Sequence, residues 1–242
     1  QGGAGRKAIV IGAGLGGLAL GIRLASAGIA TTILEAREKP GGCASWEARE
    51  GFTFDHGPSA ITDPDSFAEL WRLTGQDMAS DIELDPVELL WRLNWPDSST
   101  LDLTADDAMM RQEIIRIDGR DVAGYQRLLD YGGDAVQLGL GQLGRQPVHD
   151  FRAMLNAVPL LLQNSGWRSL HGLVASLVGN DALRQALSFQ CLLSGGNPLE
   201  INALHGWMHR LERDTGLWHP RGGINKLVMA LVALFERLGG SI

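Results

Sequence analysis

Three glycines spaced Gly12-x-Gly14-x-x-Gly17, an acid at Glu35 and a second glycine pair at Gly41-Gly42 are the residues whose types and spacing point to chemistry. In the first group, the leading glycine permits a tight turn. The middle one lets the backbone approach a pyrophosphate, and the third lets a helix pack closely on a strand. A helix starting there offers unpaired N–H groups and the positive end of its dipole to phosphate oxygens. An acid about 20 residues further on, at the end of the next strand, accepts hydrogen bonds from a ribose. A merely structural glycine turn does not account for Glu35, so the pattern is read as a dinucleotide site. The acid suits an unphosphorylated ribose, which leaves FAD or NAD. Pro40-Gly41-Gly42, where a second backbone segment can come close to the cofactor, favours FAD.

Other reactive side chains carry less. His56 in the FDHGP stretch is a candidate proton carrier, set against a structural histidine. Cys43 reads as a small buried apolar residue rather than a redox or flavin-linked group. His205 and His209 lie four apart on one helix face, but no third ligand is near at helical spacing, so no metal site is expected. Asp85, Glu88 and the other scattered acids read as solvated surface. Cys43 and Cys191 cannot build a disulfide framework, which points to a reducing, cytoplasmic compartment.

Local patterns supply the elements that position these groups. KAIVI at Lys7 to Ile11 is a β-branched strand, and Leu15, Leu18, Ile22 and Leu24 recur at helical spacing until Gly28. Thr31 to Leu34 is a second strand, which completes a parallel βαβ unit. Phe52 and Phe54 alternate with polar residues as in a half-buried strand. Asp63 and Pro64 look like the N-cap and first residue of a helix that carries Phe67, Leu70, Trp71 and Leu73. Leu84 to Leu103 reads as strands of a second sheet. Helices are expected near 106–116, 120–138, 150–162, 168–178, 181–193 and 199–213, with breakers at Gly195 to Pro198 and Pro220 to Gly223. A last helix is expected over 224–238, and Ser241-Ile242 reads as the start of a strand, so the chain is expected to be interrupted partway through a fold.

The 242 residues carry 21 Lys and Arg against 28 Asp and Glu, a formal net charge of −7, with 45% hydrophobic and 20% charged residues. That balance excludes wholesale disorder and argues against nucleic acid as a general partner. The 32 glycines cluster without a fixed period, which excludes a collagen repeat. No run reaches the ~20 apolar residues of a membrane span. Arg6 and Lys7 precede an apolar run as in a signal peptide, but the glycines that interrupt it fit the strand-and-turn reading.

Beyond these motifs lie GFTFDHGPSAITDP, DVAGYQRLLDY, WRSL, LRQALSFQ, LLSGGNP and LERDTGLWHPRGG. Together with AIVIGAGLGGLALGIRLASAGIATTILEAREKPGG, they make the chain resemble the phytoene (carotenoid) desaturase branch of the flavin amine-oxidase superfamily. The resemblance implies extended FAD and an apolar polyene substrate taken from a membrane surface. It also implies family members that run well beyond Ile242, with a C-terminal part that adds strands and a second flavin-contacting segment.

The expected fold class is therefore α/β. A Rossmann-like FAD-binding βαβ domain would carry an inserted mixed sheet and a largely helical substrate- or membrane-associating region, and would be incomplete at its C-terminus. The expected segments are 1–80 for FAD binding, 81–105 for substrate-domain strands, 106–215 for the helical region and 216–242 for a return to the FAD domain. The cofactor-contacting set is Gly12, Gly14, Leu15, Gly16, Gly17, Glu35, Ala36, Gly41, Gly42, Cys43, Gly57 and Pro58.

The implied activity is FAD-dependent desaturation of a carotenoid precursor by a cytoplasmic, peripherally membrane-associated enzyme. Isomerase or oxidase chemistry on the same scaffold, or a non-catalytic flavin-binding homologue, are the alternatives. His56 and Arg152 are the candidates for catalysis. Four positions depart from the family pattern: Cys43 where an arginine is usual, Ala153 and Asn156 where an acid and an arginine occur, and Gln190 where histidine is frequent. The apolar stripe from Phe151 to Leu193, with Arg152 and Arg168 interleaved, would suit a core, a polyene tunnel or an anionic bilayer surface.

Overall fold

The computed structural model describes residues 5–137 and 167–242. In chain order the elements begin β1 (Lys7–Ile11), α1 (Leu15–Ser26), β2 (Ala30–Leu34), β3 (Trp46–Arg49), β4 (Phe52–Asp55), α2 (Pro64–Arg72) and β5 (Leu84–Pro86). They continue through β6 (Leu89–Asn94), β7 (Thr100–Thr104), α3 (Asp107–Asp118), α4 (Val122–Val136), α5 (Leu170–Leu177) and α6 (Asp181–Phe189). The last are α7 (Trp207–Thr215), β8 (Trp218–Pro220) and α8 (Ile224–Arg237). They form two compact units, Gln1–Val87 with Leu217–Ile242, and Glu88–Gly216.

The first unit is built on the parallel pair β1–β2, in register from Lys7 with Ala30 to Ile11 with Leu34. Alternation sends Val10 and Ile33 inward, where Leu18 and Ile22 of α1 and Leu227, Leu231, Leu234 and Phe235 of α8 form the core with Trp71. Full burial of each such large side chain contributes about 1.5–3 kcal/mol. α2 begins as its sequence dictates: Asp63 accepts the Ser66 N–H at 3.4 Å and Pro64 opens the helix. Gly223 precedes α8, whose first N–H, at Ile224, donates to Asp55 Oδ2 at 2.9 Å. Ser241 then returns beside β2, and its carbonyl accepts the Ile33 N–H at 2.8 Å.

In the second unit the β6–β7 hairpin covers a helical core of Met110, Ile114, Tyr125, Leu128, Leu173, Val174, Leu183 and Leu187, with Leu101 and Leu103 of β7 pointing into it. Asp121 is 7% exposed and accepts both the Gly179 and Asn180 N–H groups at 2.7 Å, tying the start of α4 to the turn before α6. Asn180 in turn caps α6 at the Leu183 N–H. Among the described residues no helix is long and apolar enough to cross a membrane.

Several expectations are corrected. Leu84 to Leu103 does not make one sheet: β5 pairs with β8 in the first unit, while among the described residues β6 pairs only with β7. The cause is non-local, because Trp218 to Pro220, of which only Pro220 reads as part of a breaker, is extended and supplies the partner. β3 pairs antiparallel with β4 through a two-residue turn in which Glu50 (φ 53°) and Gly51 (φ 84°) are both left-handed. The helix expected over 199–213 starts at Trp207, since the Asn202 side chain accepts the Leu204 N–H at 2.8 Å and closes a separate short turn first. The helix expected over 181–193 ends at Phe189 and tightens into a 3₁₀ turn that stops at Gly195, φ 76°. The helix expected over 150–162, with Arg152, Ala153 and Asn156, lies outside the described residues.

Candidate functional site

The chain leaves β1 through Gly12, whose φ of 97° suits glycine, and the Gly12 N–H donates to the Leu34 carbonyl at 2.7 Å. The turn is thereby fastened to the end of β2, one residue before Glu35. A Cβ on Gly17 would stand 1.9 Å from the Gly12 carbonyl oxygen, so α1 approaches the turn more closely than any other residue type allows. Gly14 is the N-cap of α1. No side chain caps this end, and its first turn holds no acid. Its leading N–H groups have no acceptor within the helix, which leaves a positive, donor-rich terminus matched to phosphate.

Glu35 is fixed beside this terminus. Its Oε2 accepts the Ala13 N–H at 2.7 Å and its Oε1 the Arg37 N–H at 2.9 Å. These two bonds, the Arg37 one first, hold the carboxyl below the usual carboxylate range. Each oxygen keeps a further lone pair for a ribose hydroxyl. A Glu35→Ala chain is therefore expected to bind its dinucleotide about 10- to 100-fold more weakly, the effect of losing charge-assisted hydrogen bonds. Fluorescence titration of the apoprotein measures it, and an unchanged affinity would remove Glu35 from the site.

The second glycine loop packs against the first. Gly41 N–H donates to the Ala13 carbonyl at 2.7 Å, and a Cβ on Gly42 would come 3.1 Å from Gly14 Cα. On the loop's other side a Cβ on Gly57 would meet the Cys43 carbonyl at 2.0 Å, while His56 N–H donates to Ser45 O at 2.9 Å. The structure thus gathers Gly12, Gly14, Gly17, Glu35, Gly41, Gly42, Cys43 and Gly57. Leu15 and Gly16 sit in the first turn of α1, and Ala36 and Pro58 are exposed residues following Glu35 and Gly57. Arg37 is an addition that the sequence reading passed over: its Nη1 donates to the Gly42 carbonyl at 3.1 Å and clamps the second loop. The available signal was a cation two residues after the acid.

Cys43 corrects an expectation. It is exposed, and it meets its neighbours through the backbone, its carbonyl lying where a Cβ on Gly57 would strike it. His56 is half-exposed, with Nε2 3.5 Å from Glu47 Oε2, as in a surface pair.

The second unit holds a buried polar cluster where scattered surface acids were expected. Glu212 and Arg213 pair at 3.0 Å with side chains only 5% exposed. Gln190 Nε2 donates to Glu212 Oε2 at 2.5 Å, and Arg213 Nε donates to the Tyr125 hydroxyl at 2.8 Å. Burial raises the Glu212 carboxyl despite Arg213, and pushes Tyr125 up to about 12. His209 Nε2 lies 2.7 Å from the Leu187 carbonyl, and burial takes this imidazole down to about 3. His209 therefore serves the core, and among the described residues no group of three His, Cys, Asp or Glu side chains could hold a metal ion.

Residues 10–76 match the NAD(P)-binding Rossmann-like domain family. The chain is 47% identical over 239 residues to a lycopene-forming phytoene desaturase from Paracoccus sp., covering 99% of this chain and 48% of that protein. It is 44% identical over 233 residues to the lycopene-forming phytoene desaturase of Pantoea ananas, covering 96% of this chain and 47% of that protein. Among solved structures, a putrescine oxidase with bound putrescine aligns with a TM-score of 0.62 at 17% identity, over 97% of this chain and 49% of that one. That likeness shows a shared fold, and the family match places its Rossmann-like part at residues 10–76. The chain spans about half the length of the curated relatives it matches.

Proposed function

From its correspondence, over nearly its whole length, to the N-terminal half of phytoene desaturases, we propose that this chain is the FAD-binding half of an enzyme that desaturates a carotenoid precursor such as phytoene. The observation that carries the reading is the 47% identity across 99% of the chain.

The residues present fit the cofactor. The uncapped, acid-free start of α1 at Gly14 offers its N–H groups to a pyrophosphate, and the close contact of Gly17 with the Gly12 carbonyl sets the helix against the turn. Glu35 offers its carboxylate to the adenosine ribose, and Gly41-Gly42 is held on the turn by the Gly41–Ala13 bond and by Arg37. When bound, the flavin of FAD supplies the acceptor for a hydride removed from an allylic carbon of the polyene. This chain's own share is to hold the dinucleotide in one pose. An uncharged hydrocarbon offers no polar handle, so its selection rests on the shape of apolar walls rather than on hydrogen bonds. Because such a substrate resides in lipid, the enzyme acts as a cytoplasmic protein bound peripherally to a membrane.

The complete polypeptide, given FAD and vesicles loaded with phytoene, is expected to produce conjugated polyene absorbing in the visible range. Flavin-loaded protein that leaves the phytoene spectrum unchanged would overturn the reading.

A further inference from the structure

The polar cluster of the helical unit has valences that the described residues leave unmet. Ser188, Gln190 and His209 are 2%, 1% and 1% exposed, and Arg213 is as enclosed as its partner Glu212. Yet Ser188 Oγ, Gln190 Oε1, His209 Nδ1 and Arg213 Nη2 are buried without a hydrogen-bond partner among the described residues. Gln190 and Arg213 both bond the same Glu212 oxygen, so the free carbonyl of one and the free N–H of the other belong to one network. Ser188 and Leu187, whose carbonyl faces His209, are neighbours at the end of α6. Buried polar groups in folded proteins are nearly always satisfied, and four orphans in one cluster call for a common cause.

The inventory of donors and acceptors selects the occupant. Leu187 O can only accept, so His209 Nε2 carries the hydrogen and Nδ1 is a bare acceptor. Gln190 donates through Nε2, so its Oε1 is an acceptor; Arg213 Nη2 is a donor; the Ser188 hydroxyl is either. An anion would meet Glu212 and two acceptor lone pairs, and a metal ion would meet the Arg213 guanidinium. A neutral molecule that both donates and accepts satisfies all four atoms, and the smallest is water. We propose that the core between α4, α6 and α7 is an internal hydration site, in which at least one water accepts from Arg213 Nη2 and donates to Gln190 Oε1, with His209 Nδ1 and Ser188 Oγ as further partners. The Gln190 amide then bridges two clients, Glu212 through its nitrogen and water through its oxygen.

A crystal structure of the complete polypeptide, at a resolution that shows ordered solvent, is expected to place a solvent peak within about 3 Å of Arg213 Nη2 and of Gln190 Oε1. Water-oxygen magnetic relaxation dispersion is expected to count at least one long-lived internal water fewer in Gln190→Met than in the wild type. Four dry atoms, or a polar group from elsewhere in the polypeptide bonded to them, would overturn the proposal, as would an unchanged water count in a folded Gln190→Met protein. If that variant does not fold, the wild-type solvent density alone decides.

Discussion

A chain carrying Gly17→Ala is expected to purify without bound flavin and to lose about 3 kcal/mol or more of stability. The cause is a single methyl group. It would stand 1.9 Å from the Gly12 carbonyl oxygen and 3.1 Å from its carbon, and neither can move freely. Gly12 is held by its own N–H bond to Leu34 and by a φ of 97° that leaves few alternatives. To admit the methyl, α1 must lift from the turn, and that pulls Leu18 and Ile22 away from Ile33 and Phe235 in the core. Ordinary overpacking costs about 1–3 kcal/mol because side chains can shift, and here the obstacle is backbone. The lifted helix would also withdraw its N–H groups from the phosphates. Gly16→Ala is the matched control, since a Cβ there meets nothing within 4 Å, and its fold is expected to survive. Thermal melts together with the flavin absorbance of the purified proteins separate the two. A Gly17→Ala protein that melts with the wild type and retains flavin would show that the helix and turn are not in this contact.

The dinucleotide cradle was legible in the sequence because its parts are local. Gly12, Gly14, Gly17 and Glu35 are all placed by one βαβ unit, whose strand and helix periods are visible in the residues themselves. What could not be read depends on partners far along the chain. β8 is three residues long and is extended because β5 and the Ile61 backbone pair with it, so no local pattern announces it. β3 has mostly exposed side chains, so it lacks the alternation that reveals a half-buried strand. Arg37 looks like any surface cation until Gly42 is brought to it. Glu212 and Arg213 sit in a run, LERDT, that reads as a solvated helix face, and their burial becomes visible only when Tyr125 and Gln190 arrive from other helices. Cys43 was misread because composition predicts that a cysteine is buried, whereas a turn chooses which residues face inward by backbone path. The polar residues of the helical core thus record tertiary structure that periodicity alone does not carry.

Acid is expected to unfold the helical unit through His209, with the steepest loss between about pH 4.5 and 3. Burial, reinforced by Arg213, lowers this imidazole from 6.5 to about 3, against the Leu187 carbonyl that favours its charged form. Between those values the unfolded chain holds a proton here and the folded chain does not, so stability falls as pH falls, by about 1.4 kcal/mol per pH unit. Glu212 acts in the opposite sense. Burial raises its carboxyl above 4.5, so from that raised value down to 4.5 the folded state binds the extra proton and acid favours folding. The two groups oppose each other above pH 4.5. Below it Glu212 is protonated in both states and no longer offsets His209, which adds roughly 2 kcal/mol to the loss from carboxylates held low by arginines, Asp118 among them, before its own folded value is reached. Urea denaturation of the complete polypeptide across this range, compared with His209→Leu and Glu212→Gln, separates the contributions. His209→Leu is expected to flatten the curve between pH 4.5 and 3 relative to the wild type, whatever the variant loses at neutral pH by leaving the Leu187 carbonyl unpaired. Glu212→Gln removes the opposing group, so the loss immediately above pH 4.5 should be steeper than in the wild type. Parallel curves for wild type and His209→Leu from pH 6.5 to 3 would mean that His209 reaches solvent in the folded state, and the enclosed cluster around Glu212 and Arg213 would have to be redrawn with it.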